Sequence, residues 1–394
     1  MIDERIQLVP GFSWFGKNIG IKDSALDFGG ILSDGPCQAA GVFTRNTMPG
    51  APVLIGREHL KNGLLQAVIV NSKNANVATE QRGIEDSRTI CRLVAENCGI
   101  ATDMVLPSST GVIGRRLPMA IIVEGCKTVA QDFGRSEQHI ENFARSIMTT
   151  DTRMKVAGAK VGGATLLGIA KGAGMIEPNM ATMLCYFVTD AAIPSERLQT
   201  MLGRAVNKSF NRISVDTDTS TSDTVVIMAN GLAGPVNEDE FEAGLTEKAI
   251  YLAKEIARDG EGATKLIELT VSGAQSAEQA LLTAKSVINS PLVKTAIYGA
   301  DPNWGRFVMA IGKVFQYRVA IADLAIFFGS GDNRLRIDAR ILDRDEVPLQ
   351  EISAILRQSE ITIEIVLGNG PYSERVWGCD LTEGYVQENA HYTT

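Results

Sequence analysis

The chain has 394 residues, 45% of them hydrophobic and 21% charged, an ordinary soluble composition with enough length for two or three cores. Its net charge of −8, with no basic run or basic aromatic stripe, excludes nucleic acid as an expected partner. No stretch approaches a membrane span, and Met1-Ile-Asp-Glu-Arg-Ile6 lacks the apolar segment of a signal peptide, so a cytoplasmic protein without membrane contact is expected.

In chain order, residues 11–71 alternate short apolar runs with Gly and Pro, and Ala25-Leu-Asp-Phe-Gly-Gly-Ile-Leu32 and Leu64-Leu-Gln-Ala-Val-Ile-Val-Asn71 read as strands. Helices are predicted over 82–97, 118–133 and 136–149, the last with Ile140, Phe143, Ala144, Ile147 and Met148 on one stripe. Between them, Leu106-Pro-Ser-Ser-Thr-Gly-Val-Ile-Gly114 reads by itself as a Ser/Gly turn, although such loops also aim backbone N–H groups into cavities, as an oxyanion requires.

The stretch from Lys171 to Leu184 (Lys-Gly-Ala-Gly-Met-Ile-Glu-Pro-Asn-Met-Ala-Thr-Met-Leu) is a loop broken by Gly and Pro that delivers Thr182 into an apolar, strand-like run. A threonine hydroxyl there can attack the preceding carbonyl, Ala181, and cut the chain through an ester. The new α-amine, with a pKa of about 8, then serves as base for its own hydroxyl. An Ala-Thr pair alone reads as a buried strand threonine after a turn. The three histidines, His59, His139 and His391, offer few places for a Ser-His-Asp arrangement.

Further on, Pro194 opens a helix that turns Leu198, Met201, Leu202 and Ala205 inward; 225–228 is strand-like; and Phe241, Leu245, Ala249, Leu252 and Ile256 mark a helix ending near Gly260. Ser276 and Gln279 form a capping-box signature, and Ile361-Thr-Ile-Glu-Ile365 alternates as a strand with one covered face. Asp216-Thr-Asp-Thr-Ser-Thr-Ser-Asp223 alternates carboxylates and hydroxyls but carries Thr221 and Ile227 where a calcium loop needs Gly and Glu, so it reads as a turn supporting the site. Lys171-Gly-Ala-Gly lacks the Walker pattern, and the cysteines, Cys37, Cys91, Cys98, Cys126, Cys185 and Cys379, lack metal-ligand spacing; they read as reduced and mostly buried, with no metal expected.

The 171–184 segment resembles the self-cleavage pattern K-G-[SA]-G-M-[IL]-x-P-x-[ML]-A-T-[ML]-L of the ornithine acetyltransferase family, the ArgJ proteins. The resemblance extends through Ala40-Gly-Val-Phe-Thr44, Asn74-Ala-Asn76, Ser109-Thr-Gly-Val-Ile-Gly114, Thr149-Thr-Asp-Thr152, Asp216-Thr-Asp-Thr-Ser220, Gly299-Ala-Asp-Pro-Asn-Trp-Gly305 and Tyr392-Thr-Thr394. It implies an α/β fold, a layered α-β-β-α-like sandwich similar to N-terminal nucleophile hydrolases but with the family's own topology. Self-cleavage between Ala181 and Thr182 would give intertwined chains 1–181 and 182–394, assembled as a heterotetramer of two α and two β chains. A smaller C-terminal unit, about 293–394, is a further expectation from the order of elements.

The resemblance also implies an N-acyltransferase that moves an acetyl group from N-acetylornithine to glutamate by ping-pong exchange through acetyl-Thr182, without a cofactor. Acetyl-CoA stays open as a second donor, as do primary arginine biosynthesis and specialised metabolism as the setting. Thr182 aligns as nucleophile, Thr110 and Gly111 as the oxyanion hole, and Thr150, Lys171, Thr182, Glu261, Asn389 and Thr394 as substrate-binding residues. Lys73 departs from a family glycine and Glu177 from a frequent histidine. A self-cleaving amidase or aminopeptidase, with water as acceptor, and a non-catalytic ligand-binding relative are the alternatives.

Overall fold

In the computed structural model the described residues are 6–177, 183–338, 341 and 347–391. Among them the strands, in chain order, are β1 (Phe12–Lys17), β2 (Phe28–Phe43), β3 (Leu64–Asn71), β4 (Val105–Ser109), β5 (Lys155–Val161), β6 (Ala164–Lys171) and β7 (Leu184–Ala191). They continue with β8 (Ile213–Ser214), β9 (Thr224–Gly234), β10 (Leu266–Ala274), β11 (Ala325–Phe328), β12 (Leu335–Asp338), β13 (Glu360–Val366) and β14 (Tyr372–Cys379). The chain forms two compact units, 1–211 with 218–256, and 212–217 with 257–393.

The first unit holds eight strands in the order β4-β3-β2-β9-β7-β6-β5, with β1 also on β2. β2 joins two groups of strands because it bends: its pairing with β3 skips from Leu32 to Cys37 across Asp34-Gly35-Pro36, and Pro36 has no N–H to give a ladder. Its first half pairs with β1 and its second half with β9. Both groups contribute to one apolar cluster, Trp14, Ile31, Val68 and Val70 from one, and Leu167, Ile169, Tyr186, Val188 and Val226 from the other.

The alternate residues of β3, Ala67 and Ile69, turn instead to a second cluster with Ile90, Val94 and Ile122, which lie on helices Glu80–Cys98 and Met119–Cys126. On the far side, Phe187 of β7 and Leu252 of helix Glu238–Arg258 crowd Gly168 of β6 closely enough that a Cβ there would meet both within 3 Å. The layered α/β sandwich expected from the sequence is present.

Local chemistry explains the helices. Ile140, Phe143 and Ala144 are buried along helix Glu137–Ser146, as the stripe requires, and Ile147 at its C-terminal cap is buried with them. Ser276 caps Ala277–Ile288 by accepting the Gln279 N–H at 3.0 Å, while the Gln279 side chain reaches back to the Gln275 N–H at 2.7 Å, one residue before the expected position. The helix expected over 118–133 is instead broken into Met119–Cys126 and Val129–Asp132. Lys17 bonds both sides of the break: its ammonium donates to the Gly125 carbonyl and the Thr128 hydroxyl, each at 2.8 Å, and to the Asp132 carboxylate.

The second unit has six strands in the order β12-β11-β13-β10-β14-β8. One face buries Ile267, Leu269 and Val271 with Ile361, Ile363 and Ile365 under helices Ala277–Ile288, Pro291–Tyr298 and Trp304–Gly312. Its opposite face is polar: Glu268 accepts from Trp377 Nε1 at 2.9 Å and lies 3.2 Å from Arg375. No helix among the described residues is long and apolar enough to cross a membrane.

Phe143 packs on Trp14 of β1 and Tyr186 of β7, with ring centroids 5.4 and 5.8 Å away, and so touches both strand groups. Phe143→Ala should cost about 3–5 kcal/mol, read as a shifted urea midpoint at unchanged slope. A loss below about 1 kcal/mol would mean that the shared core does not hold the layers together.

Candidate active site

Two loops interlock at the ends of β3 and β4. The N–H groups of Thr110, Val112 and Ala75 donate to the carbonyls of Asn71, Lys73 and Val112 at 3.1, 3.1 and 3.0 Å. Ser109 Oγ donates to Asn71 Oδ1 at 2.6 Å, and Asn71 Nδ2 to the Asn74 carbonyl at 2.9 Å. Between these bonds Gly111 stands at φ +128°, and a Cβ on it would fall 2.2 Å from the Lys73 carbonyl carbon, so only glycine fits. The Gly111 N–H has no hydrogen-bond partner among the described residues. Lys73, the departure from a family glycine, adopts φ +80°, a conformation costly for a residue with a Cβ.

Lys171 reaches the same place from β6, which is not a neighbour of β3 or β4 in the sheet. It is the last residue of β6, opposite Leu184 of β7, and is only 2% exposed. Its ammonium donates to Thr110 Oγ1 at 3.2 Å and lies 4.0 Å from the Asp151 carboxylate. The Asp151 side chain is fully buried; it accepts from Lys155 at 2.7 Å and from the N–H groups of Gly172 at 2.6 Å and Thr149 at 3.0 Å. Burial alone would raise its pKa, but the Lys155 and Lys171 ammoniums and the Gly172 N–H together hold it down to about 2.

A further cation adds to this field. Lys22 donates to the carbonyls of Leu26 and Met148, at 3.0 and 2.7 Å. Burial lowers its pKa to about 8; Asp27 and Asp151 oppose the shift, and Lys171 and Lys73 add to it. The surroundings of Lys171 are thus basic and dry, which suits a carboxylate ligand.

Ala181, Thr182 and Thr394 lie outside the described residues. The nearest described neighbours of the first two, Glu177 and Met183, are both held by the segment 218–224. The Glu177 N–H donates to the Asp218 carbonyl at 2.9 Å and Thr219 Oγ1 to the Glu177 carbonyl at 3.1 Å. The Met183 N–H donates to Asp223 Oδ1 at 3.1 Å, and the Thr224 N–H to the Met183 carbonyl at 3.2 Å. Thr150 is half-buried, beside Asp151 in the chain.

In the second unit Asn389 Nδ2 donates to Glu261 Oε2 at 2.8 Å. The chain end up to His391 is a helix, Glu383–His391, and it fits against the Glu261 loop so closely that a Cβ on Gly262 would reach 2.3 Å from Tyr385 N. Lys171 and Thr110 are thus brought together in one unit, and Glu261 and Asn389 in the other. The sequence assigns no role to Asp151, Lys155 or Lys22, and places Asp223 only in a turn supporting the site. Asp151 and Asp223 stood inside motifs already singled out, whereas nothing in the sequence marked Lys22.

Because the Asp151 pKa is depressed on folding, its stabilising contribution is complete above the unfolded value of about 3.9 and is lost as pH falls through about 2. Asp151→Asn, which leaves two buried ammoniums without their carboxylate, should cost about 3–5 kcal/mol at neutral pH. It should also flatten the fall of stability between about pH 4 and 2. Urea unfolding at several pH values reads both effects, and an Asn variant as stable as wild type would remove Asp151 from the scaffold of the site.

A family model described as the ArgJ family matches residues 13–394. The chain is 46% identical over 391 residues to arginine biosynthesis bifunctional protein ArgJ 2 of Clostridium acetobutylicum, covering 98% of each. It is 48% identical over 384 residues to the protein of the same name in Nostoc sp., covering 98% of this chain and 97% of that one. With the glutamate N-acetyltransferase of Methanopyrus kandleri it shares 42% identity over 381 residues, covering 95% of this chain and 97% of that one. Agreement of this length, beginning in β1 and running through both units, shows that the chain belongs to the ArgJ family.

Proposed function

We propose that the protein is an N-acyltransferase of arginine biosynthesis, moving an acetyl group from N-acetylornithine to glutamate through an acetyl-Thr182 ester. The reading is supported by the names carried by its relatives, arginine biosynthesis bifunctional protein and glutamate N-acetyltransferase. The observation that carries it is local: a buried ammonium, Lys171, stands 3.2 Å from the Thr110 hydroxyl, next to a Gly111 N–H with no partner among the described residues.

In the proposed sequence, self-cleavage before Thr182 frees its α-amine. That amine takes the hydroxyl proton as Oγ attacks the acetyl carbonyl of N-acetylornithine. The tetrahedral oxyanion is met by the Thr110 hydroxyl and the Gly111 N–H. Collapse breaks the C–N bond, the proton passes to the leaving ornithine amine, and acetyl-Thr182 remains. The glutamate amine then attacks the ester, and Thr182 recovers its proton as N-acetylglutamate leaves.

Lys171 suits the α-carboxylate common to donor and acceptor, Thr150 is a further proposed substrate contact, and the Glu261 carboxylate suits the ornithine side-chain ammonium. Asn389, hydrogen-bonded to Glu261, and Thr394 complete the proposed substrate contacts. One amide is exchanged for another through an ester, so the site's work is to stabilise the oxyanion and exclude water. No cofactor takes part. A cytoplasmic heterotetramer of two 1–181 and two 182–394 chains belongs to the same proposal.

Under denaturing conditions the purified protein should resolve into pieces 1–181 and 182–394, and Thr182→Ala should stay whole. N-terminal sequencing of the pieces decides the cleavage point, and a single intact wild-type chain would sink the nucleophile assignment. Incubated with N-acetylornithine and labelled glutamate, wild type should yield labelled N-acetylglutamate and free ornithine. Thr110→Ala should slow that transfer about 100-fold. If acetate appears at the same rate with and without glutamate, the protein is a hydrolase.

A further inference from the structure

Asp223 is a buried carboxyl for which the transfer reaction has no use. It is 0% exposed, at the start of β9. Its Oδ1 accepts the Met183 N–H, and its Oδ2 is buried without a hydrogen-bond partner. Around it, Thr44 Oγ1 donates to the Ser220 carbonyl and Ser220 Oγ accepts the Ser222 N–H at 3.0 Å. Burial holds this acid well above the ordinary carboxylate range, against the Met183 N–H, the Thr44 and Ser220 hydroxyls and the field of Lys171.

A fully buried acid with one oxygen unpaired is costly, so its retention calls for a reason. What its other oxygen holds supplies one. The Met183 N–H belongs to the peptide bond that joins Thr182 to Met183. The next residue along, Thr224, holds the Met183 carbonyl, so residues 223 and 224 fix both polar groups of Met183. From the same segment Asp218 and Thr219 fix both polar groups of Glu177.

We propose that Asp223 is a positioning residue for the nucleophile, acting by accepting the N–H of Met183, the residue that follows Thr182 in the chain. Segment 218–224 is then one clamp on the residues that flank the proposed self-cleaving motif, Glu177 before it and Met183 after it. The inference rests on the reading of Thr182 as nucleophile. It requires of Asp223 an acceptor oxygen and not a charge.

The test compares Asp223→Leu, which keeps the volume but has no acceptor, with Asp223→Asn, which keeps the acceptor and carries no charge. Self-cleavage is followed after a pulse of synthesis, and kcat and KM are measured on the cleaved fraction. Displacement of a reacting group by about 1 Å costs about 100-fold in rate. The Leu variant should therefore cleave and transfer about 100-fold more slowly, with KM for N-acetylornithine within about twofold of wild type, and the Asn variant should recover both rates.

A folded Leu variant with wild-type cleavage and kcat overturns the inference, and so does a folded Asn variant that fails as Leu does. If the Leu variant does not accumulate, Asp223→Ala replaces it under the same criteria. Failure of the underlying reading looks different: wild type itself would stay uncleaved, or Thr182→Ala would still transfer acetyl groups.

Discussion

The Asp151 carboxylate fixes the geometry on which the candidate site depends. It gathers the Lys155 ammonium and the N–H groups of Thr149 and Gly172 within 3.0 Å and sets Lys171 4.0 Å away. It thereby ties the turn after helix Glu137–Ser146 to the start of β5 and the end of β6. Buried ion pairs contribute little net stability against apolar packing, because desolvating the charges offsets most of their attraction. What this arrangement supplies is position: a long, flexible lysine side chain is fixed where its ammonium meets Thr110.

The same economy of means recurs in the loop that carries Thr110. Gly111 occupies a conformation and a space that exclude any Cβ, and Lys73, Asn76 and Ala78 all stand at positive φ in the facing loop. Strain of this kind persists only where surrounding bonds over-determine it. Here they do, through the Thr110, Val112 and Ala75 ladder bonds and the Asn71 side chain, which accepts from Ser109 and donates to Asn74. The result is a fixed direction for the Gly111 N–H. Lys73 carries its side chain at φ +80°, a conformation that a glycine adopts at lower cost.

How much of this was legible in the sequence follows from the range of the forces involved. The stripe Ile140, Phe143, Ala144 and Ile147 encodes its helix through local periodicity, and the Ser276 cap lies three residues from its partner. Thr110 and Lys171 are marked by motif, but their meeting joins residues 61 apart at the ends of strands that are not neighbours in the sheet. The break in the 118–133 helix is not legible either, and the ammonium that bonds both sides of it comes from Lys17, more than a hundred residues earlier. Asp223 reads as part of a supporting turn, but its raised pKa depends on burial that no run of neighbouring residues reveals.

The proposed cleavage motif lies in the chain between β6 and β7, two paired strands of one core. β7, which starts two residues after Thr182, is paired along its length with β6 on one side and β9 on the other. On the proposed reading, a nucleophile two residues ahead of such a strand would have a rigid support close by in the chain, which both proposed half-reactions would need. The arms on either side of the cut also share apolar contacts: Leu167 and Ile169 from before it pack in the same cluster as Leu184, Tyr186 and Val188 from after it. Separating the products of a cut at Ala181–Thr182 would break the β6–β7 ladder and expose that cluster to water, at roughly 1.5–3 kcal/mol per buried side chain. The two chains would therefore remain one folded body, and the new amine of Thr182 would be created without loss of the strand that aims it.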